Sequence, residues 1–212
     1  MKMKVKFDII GLCLSWFAII AQFVLMLQNR QTDIPEMIIR YFSFFTILTN
    51  ILVALYFTTS VFKLQVIPFK LFHSTGSITA ITAFILIVGL VYQVVLRKTW
   101  QPTGLQRMVD ELLHSVIPLY VLIYWFFKLN KNDLLIKPIL KWLLYPILYL
   151  LFILLRGNNS GFYPYPFVNV PKIGLEKALV NSAATLLLAI ILLIVLILIG
   201  RVKYKKFQKV QL

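Results

Sequence analysis

Long apolar stretches alternate along this chain with short connections rich in lysine and arginine. Several of the stretches carry no charge over about 20 residues, which is the length that a helix needs to cross the hydrocarbon core of a bilayer. The 212 residues are 60% hydrophobic, which leaves no room for a separate soluble domain. The sequence therefore predicts an all-α, polytopic integral membrane protein that forms a single bundle of six transmembrane helices.

Six segments are predicted to span the membrane. The first begins after a basic N-terminus that resembles a signal peptide. Its apolar run is longer than a signal core and no small-residue cleavage site follows it, so an uncleaved span is predicted. The fifth has a short apolar core, whose flanking Lys141 and Arg156 must extend to the interfaces. The predicted spans are residues 8–27, 41–62, 74–96, 110–127, 139–155 and 178–200.

The basic residues predict the orientation, because cytoplasmic loops carry an excess of lysine and arginine. With six spans, 14 of the 22 basic residues fall on the side of the two termini and eight fall on the other side. Both termini are therefore predicted to be cytoplasmic, in a multi-pass protein of the cell membrane. These flanking residues also explain the net charge of +15. No basic stripe with interleaved aromatics is present, so nucleic-acid binding is not predicted.

Neither a metal nor another cofactor is predicted. Cys13 is the only cysteine, and it is accompanied by two histidines without HExxH or CxxC spacing. Too few ligands remain at the spacings that metal sites use. The expected partners are membrane lipids, among them a lipid-like substrate.

A first polar cluster lies near the predicted outer end of the second span. Thr46 and Asn50 are one turn apart and share a helix face, and Thr49 lies beside them. Polar residues at membrane depth are costly and tend to mark function. The alternative is that they bond their own backbone and fix helix packing.

A second cluster lies near the outer end of the fourth span. Asp110 is one turn before His114, where a carboxylate can fix the histidine tautomer and raise its basicity. Such a pair is the orienting and basic half of a catalytic triad. Pro118 removes the donor for the carbonyl of His114, so we expect the helix to kink or to recruit a polar partner there. The alternative is an interfacial histidine that bonds headgroups.

A third cluster is the aromatic loop Gly161–Phe167 between the last two spans. Its X-Pro units favour extended geometry, so the loop could fold back as a rigid lid with the phenols of Tyr163 and Tyr165 facing inward. The alternative is an aromatic cap at the interface. Asn181 and Ser182, near the outer end of the sixth span, are expected to line the same site.

Three segments carry a resemblance to known families: residues 40–50 (RYFSFFTILTN), 113–118 (LHSVIP) and 163–170 (YPYPFVNV). The chain resembles the bacterial "Pr-six-Pr" family of six-span membrane proteins. More distantly it resembles the androgen-induced-gene-one-like family, six-span threonine hydrolases that cleave fatty acid esters of hydroxy fatty acids. The second resemblance implies that Thr46 is the nucleophile and His114 the base. Thr49 remains the alternative nucleophile.

The leading hypothesis is an intramembrane lipid-ester hydrolase whose site faces outward. Its acyl chains are expected to lie between spans two, three, four and six. The rival hypotheses are a non-catalytic binder or transporter of an amphiphile, and a structural membrane protein. The expected roles are nucleophile for Thr46, base for His114, orientation for Asp110, oxyanion donation for Asn50, Tyr163 or Tyr165, and substrate binding for Thr49, Phe167, Asn181 and Ser182.

Overall fold

The structure is a computed structural model that describes the backbone of residues 2–210 and the side chains of residues 5–137 and 140–205. The described residues form helices and turns without a β-strand. In chain order, the helices are α1 (Lys2–Gln28), α2 (Ile34–Tyr41), α3 (Phe45–Phe62), α4 (Ser77–Val91), α5 (Gly104–Glu111), α6 (Ile117–Lys128), α7 (Ile136–Lys141), α8 (Leu144–Ser160), α9 (Val170–Ile173) and α10 (Leu175–Val210).

Among the described residues, five helical segments are long and apolar enough to cross a membrane. They are Val5–Gln28, Phe45–Phe62, Ser77–Leu96, Gly104–Lys128 and Leu175–Lys205. Large apolar side chains remain exposed along α1 and α10, as expected for helices that face lipid. The helical class is thus confirmed. The fifth predicted span, 139–155, is not among these five, because α8 has 17 residues where a span takes about 20.

The second predicted span, 41–62, begins at the last residue of α2, turns at residues 42–44 and continues as α3. The backbone N–H groups of this turn bond carbonyls of α2, and one of its carbonyls is satisfied by a side chain, as buried backbone requires. Tyr149 donates to the Ser43 carbonyl at 3.0 Å, and the Ser43 hydroxyl donates back into α2 at 2.7 Å. Thr46 is therefore the second residue of α3, and not one turn inside a longer helix as predicted.

The fifth predicted span, 139–155, also straddles a break. The chain turns at residues 142–143, between α7 and α8. Pro146 then falls in the first turn of α8, where its missing N–H costs nothing. Because the helix restarts after this turn, the apolar residues of α8 lie closer to the aromatic loop than predicted. Tyr149 of α8 packs against α3.

Two π-helical turns lie side by side near one end of the bundle. One, Tyr92–Leu96, extends α4, and the other, Leu112–Val116, joins α5 to α6. The second turn precedes Pro118, where the sequence predicted a distortion. Gln93 Nε2 donates to Ser115 Oγ at 2.8 Å and links the two turns. Turns of this kind are frequent at functional sites because they alter the direction of a few side chains.

Close packing of α4 against the second π turn depends on Gly89. A Cβ atom at this position would lie 3.1 Å from the His114 carbonyl oxygen and 3.3 Å from Pro118 Cβ. We expect Gly89→Val to destabilise the fold by about 1–3 kcal/mol through overpacking, measured as a lower melting temperature in detergent. Ala184→Val, at an exposed position of α10, is the control. An unchanged melting temperature in the Gly89 variant would contradict this close approach.

Candidate active site

Three segments that are distant in the sequence meet at the start of α3. Thr46 Oγ1 lies 3.3 Å from His114 Nε2, on the second π turn. The Tyr165 hydroxyl lies 3.2 Å from Thr46 Oγ1 and accepts a 3.2 Å hydrogen bond from the Thr46 backbone N–H. This N–H is free to leave the helix because the first turn of a helix has no intrahelical acceptors. The Thr46 hydroxyl therefore lies within hydrogen-bond distance of both an imidazole and a phenol.

Asp110 orients the imidazole of His114. The Nδ1 atom lies 2.9 Å from the Asp110 carbonyl oxygen and 3.2 Å from its Oδ1 atom, and the two side chains are only 11% and 8% exposed. Both neighbours of Nδ1 are acceptors, so Nδ1 carries the proton and Nε2 presents its lone pair to Thr46. This is the tautomer that a general base requires.

Tyr92 fixes the plane of the same ring. It is the first residue of the π turn that follows α4, and its ring stacks on His114 at 4.2 Å between centroids and 17° between planes. Sequence reasoning missed Tyr92, because a tyrosine near the end of a span is usually an interfacial residue. Its only sequence signal was its position one turn from the end of the third span.

The hydrogen bonds at the site run in one direction. The Thr46 N–H donates to the Tyr165 oxygen. The Tyr165 hydroxyl can then donate to Thr46 Oγ1, and the Thr46 hydroxyl can donate to His114 Nε2. Burial raises the pKa of the Tyr165 phenol, because the charged form is poorly solvated there. The phenol therefore remains a protonated donor at neutral pH.

These residues line a cavity of about 610 Å³, within the range of about 300–1,000 Å³ that ligand pockets occupy. Thr46, Asp110, His114 and Tyr165 all contribute to its wall. The sequence placed the groove between spans two, three, four and six. The structure instead builds one wall from α1 and the connection after it. The lining residues from that segment are Gln22, Leu25, Met26, Asn29, Arg30, Gln31 and Thr32.

A second, apolar cavity of about 50 Å³ adjoins the Thr46–Tyr165 contact. Both residues line both cavities. Phe167 lines the small one, and its ring stacks on Tyr165 at 5.2 Å and 6°. The remaining wall comes mainly from α4, α8 and α10, so the sixth span contributes here and not to the larger cavity.

Asn50 does not present its amide N–H groups to the cavity. Its Nδ2 atom donates to the Thr46 carbonyl at 2.8 Å and to the Leu113 carbonyl at 3.4 Å. These bonds tie α3 to the π turn that carries the histidine. The structure therefore corrects the expectation that Asn50 donates to an oxyanion and gives it a positioning role.

Thr49 and Tyr163 lie outside the cavity. Thr49 is fully buried, and its hydroxyl is 2.9 Å from that of Tyr145. Tyr163 packs its ring on Gly157, where any Cβ would collide with it. Of the two threonines left open by the sequence, Thr46 is the one that meets His114, and of the two tyrosines, Tyr165 is the one that meets Thr46.

Asn181 and Ser182 do not belong to the described lining of either cavity. The Asn181 amide donates to the Phe167 carbonyl at 2.8 Å and so anchors the aromatic loop to α10. The Ser182 hydroxyl donates to the carbonyl of Ala178, one turn earlier, at 2.8 Å. The expectation that these two residues line the site is therefore corrected.

An ionic clamp holds the other end of the loop. Glu36 Oε1 accepts from Arg40 Nε at 2.8 Å and from Arg156 at 2.9 Å. Both guanidinium groups lie over the Phe162 ring, at 4.6 and 5.0 Å from its centroid. The hydrogen bond from Arg40 lowers the pKa of Glu36, so its carboxylate stays ionised. The clamp fixes Phe162 over the cavity.

Comparison with protein-family models, with curated proteins and with solved structures found no match for this chain. Within the described side chains, no three histidine, cysteine or acidic residues are grouped as metal ligands. Any assignment of function must therefore rest on the geometry of the site, because a helical fold by itself does not define an activity.

Proposed function

We propose that this protein is an intramembrane lipid-ester hydrolase of the cell membrane, with Thr46 as nucleophile and His114 as general base. The observation that carries the proposal is the 3.3 Å approach of Thr46 Oγ1 to His114 Nε2 in the wall of a 610 Å³ cavity. A nucleophile, a base and an orienting group in hydrogen-bond sequence are the signature of covalent catalysis. The resemblance to six-span threonine hydrolases points to the same residues.

The first half of the reaction would transfer the acyl group to the enzyme. Thr46 Oγ1 attacks the ester carbonyl carbon while its proton passes to His114 Nε2. The carbonyl oxygen becomes an oxyanion, which the Thr46 N–H and the Tyr165 hydroxyl can stabilise because both already converge at this point. The intermediate collapses, and the alcohol leaves with the proton from His114. An acyl-threonine ester remains.

The second half would release the fatty acid. His114 takes a proton from a water molecule, and the water oxygen attacks the acyl carbon of the threonine ester. Thr46 Oγ1 then leaves and recovers a proton from His114, and the free acid departs. In both halves Asp110 holds the Nδ1 proton and stabilises the transient imidazolium.

The two cavities support a substrate with two apolar arms. The ester would sit at Thr46, with one arm in the large cavity and the other directed at the apolar gap beyond Tyr165. Fatty acid esters of hydroxy fatty acids, the class that the resemblance implies, have two such arms. Movement of the Tyr165 ring would be needed to join the gap of about 50 Å³ to the main cavity.

The proposal includes six spans, with α8 as the fifth and both termini cytoplasmic. A cysteine introduced at Asn159, in a Cys13→Ser background, should then react with a membrane-impermeant maleimide added outside intact cells. A cysteine at Asn132, an exposed position of the preceding connection, should react only after the membrane is opened. The opposite pattern would contradict the orientation and the outward-facing site.

Turnover of long-chain lipid esters by purified protein in detergent tests the activity itself. The proposal predicts release of fatty acid together with transient acylation of the peptide that contains Thr46, detected by mass spectrometry. If no ester is cleaved and an intact lipid copurifies in the cavity, the protein is a binder and the hydrolase proposal fails.

A further inference from the structure

Two arginines belong to the described wall of the large cavity and not to that of the small one. Arg30 follows α1 and is exposed, and its Nη1 atom donates to the Leu27 carbonyl at 3.1 Å. Within the described residues it forms no ion pair. Arg40 reaches the cavity from α2 and bonds Glu36 through Nε only, so its two terminal nitrogens have no described protein acceptor.

The mouth of the cavity therefore carries an excess of positive charge. Glu36 is shared between Arg40 and Arg156, so one carboxylate faces two guanidinium groups while Arg30 stands apart. Asp110 is the only acidic residue among those described in the cavity wall, and it is engaged with His114. A guanidinium offers paired donors that match the geometry of a carboxylate or a phosphate.

Aromatic rings separate the Arg40 guanidinium from the reacting group. The Arg40 guanidinium lies over Phe162, Phe162 meets Phe44 edge to face at 6.2 Å, and Phe44 meets Tyr165 at 5.8 Å. Tyr165 in turn contacts Thr46. The order from the mouth inward is thus charge, apolar layer and hydroxyl, which is the order of a charged head, an alkyl segment and an ester in an amphiphile.

We propose that Arg30 and Arg40 form a headgroup site, and that the ligand of this cavity is an amphiphile that ends in a carboxylate or a phosphate. The proposal rests on the proposed function only where it makes that ligand the substrate. A neutral headgroup would leave the excess positive charge of the two guanidinium groups uncompensated in the complex, and a ligand cation would be repelled. The two anions share the same recognition chemistry, and the probes below separate them.

Binding to purified full-length protein in a neutral detergent tests the headgroup site directly. Two matched pairs serve as probes: lauric acid with its methyl ester, and dodecyl phosphate with dodecanol. At neutral pH and low salt, at least one anion should bind more tightly than its neutral partner, and the stronger pair identifies the headgroup. Salt should weaken that preference, because screening acts on the charge at the mouth.

Arg30→Gln is the decisive variant, because Arg30 lies outside the Glu36 clamp. It should weaken binding of the preferred anion by about tenfold, the low end for a charge-assisted hydrogen bond, and leave the neutral probe unchanged. Arg40→Gln should weaken binding of the preferred anion in the same way. Because Arg40 also bonds Glu36 in the clamp, Arg40→Lys is the variant that keeps a positive charge beside Glu36. Arg107→Gln, at an exposed arginine of α5 outside the cavity wall, should change neither.

The outcomes separate the headgroup site from the hydrolase. Equal binding of the charged and neutral probes overturns the headgroup site, whether or not the wild type cleaves esters. A preference for the anion that survives both Gln variants overturns the assignment to Arg30 and Arg40. Arginine-dependent binding in a protein that cleaves no ester supports the headgroup site while the proposed function fails. With an active wild type, the same variants should raise KM for anionic esters and leave kcat unchanged.

Discussion

Thr46→Ala should reduce ester cleavage to background, a loss of at least about 10³-fold in kcat, because no other hydroxyl occupies the nucleophile position. Fatty acid release by purified protein in detergent measures the loss, and the absence of the acylated peptide checks its cause. The fold should survive, since the alanine keeps the helix and removes only a hydroxyl that is shared with Tyr165 and His114.

His114→Ala should cause a loss of similar size, since a threonine hydroxyl is a weak nucleophile without its base. Residues that act as one unit are not additive, so the double variant should be little worse than either single change. Asp110→Asn should cost less, because the backbone carbonyl of Asp110 still accepts the Nδ1 proton at 2.9 Å.

Thr49→Ala is the matched control for the nucleophile. Its hydroxyl contacts Tyr145 and not the histidine, so the variant should retain near-normal kcat. Activity that survives Thr46→Ala and is lost in Thr49→Ala would transfer the nucleophile by three residues. Activity that survives every change at Thr46 and His114 would show that cleavage occurs at another site.

The helical class was predictable because the length of an uninterrupted apolar stretch can be read directly from the sequence. The breaks at residues 42–44 and 142–143, within two of the predicted spans, were not predictable. The turn at residues 42–44 depends on a hydrogen bond from Tyr149 to Ser43, which a local pattern cannot show. This turn has consequences for the site, because it places the backbone N–H of Thr46 in the first turn of a helix.

The sequence also left two tyrosines of the loop equivalent. The structure distinguishes them by packing, since Tyr163 lies on Gly157 and Tyr165 reaches Thr46. Tyr92 and the cavity wall from α1 were missed for a related reason. Their neighbours are distant in the sequence, and an aromatic or apolar residue in a membrane helix has the same local pattern whether it faces lipid, core or ligand. The catalytic roles of the converging residues stay predictions.

Tyr165→Phe gives the most specific test of the mechanism. The phenylalanine keeps the ring contacts with Phe44 and Phe167 and removes only the hydroxyl that meets Thr46. If that hydroxyl stabilises the oxyanion, kcat should fall by about 10²–10³-fold, the usual cost of one oxyanion-hole donor. KM should change little, because the contribution arises in the transition state.

Tyr163→Phe provides the matched control for this change, since it removes a phenol from the same loop at a position that packs on Gly157 and does not line the cavity. It should leave kcat and KM near the wild-type values, and melting temperatures in detergent should show that both variants are folded. A rise in kcat for Tyr165→Phe would mean that the hydroxyl only restrains the nucleophile at rest. In that case the oxyanion would depend on the Thr46 N–H at the start of α3, and Tyr165 would act as a gate between the two cavities.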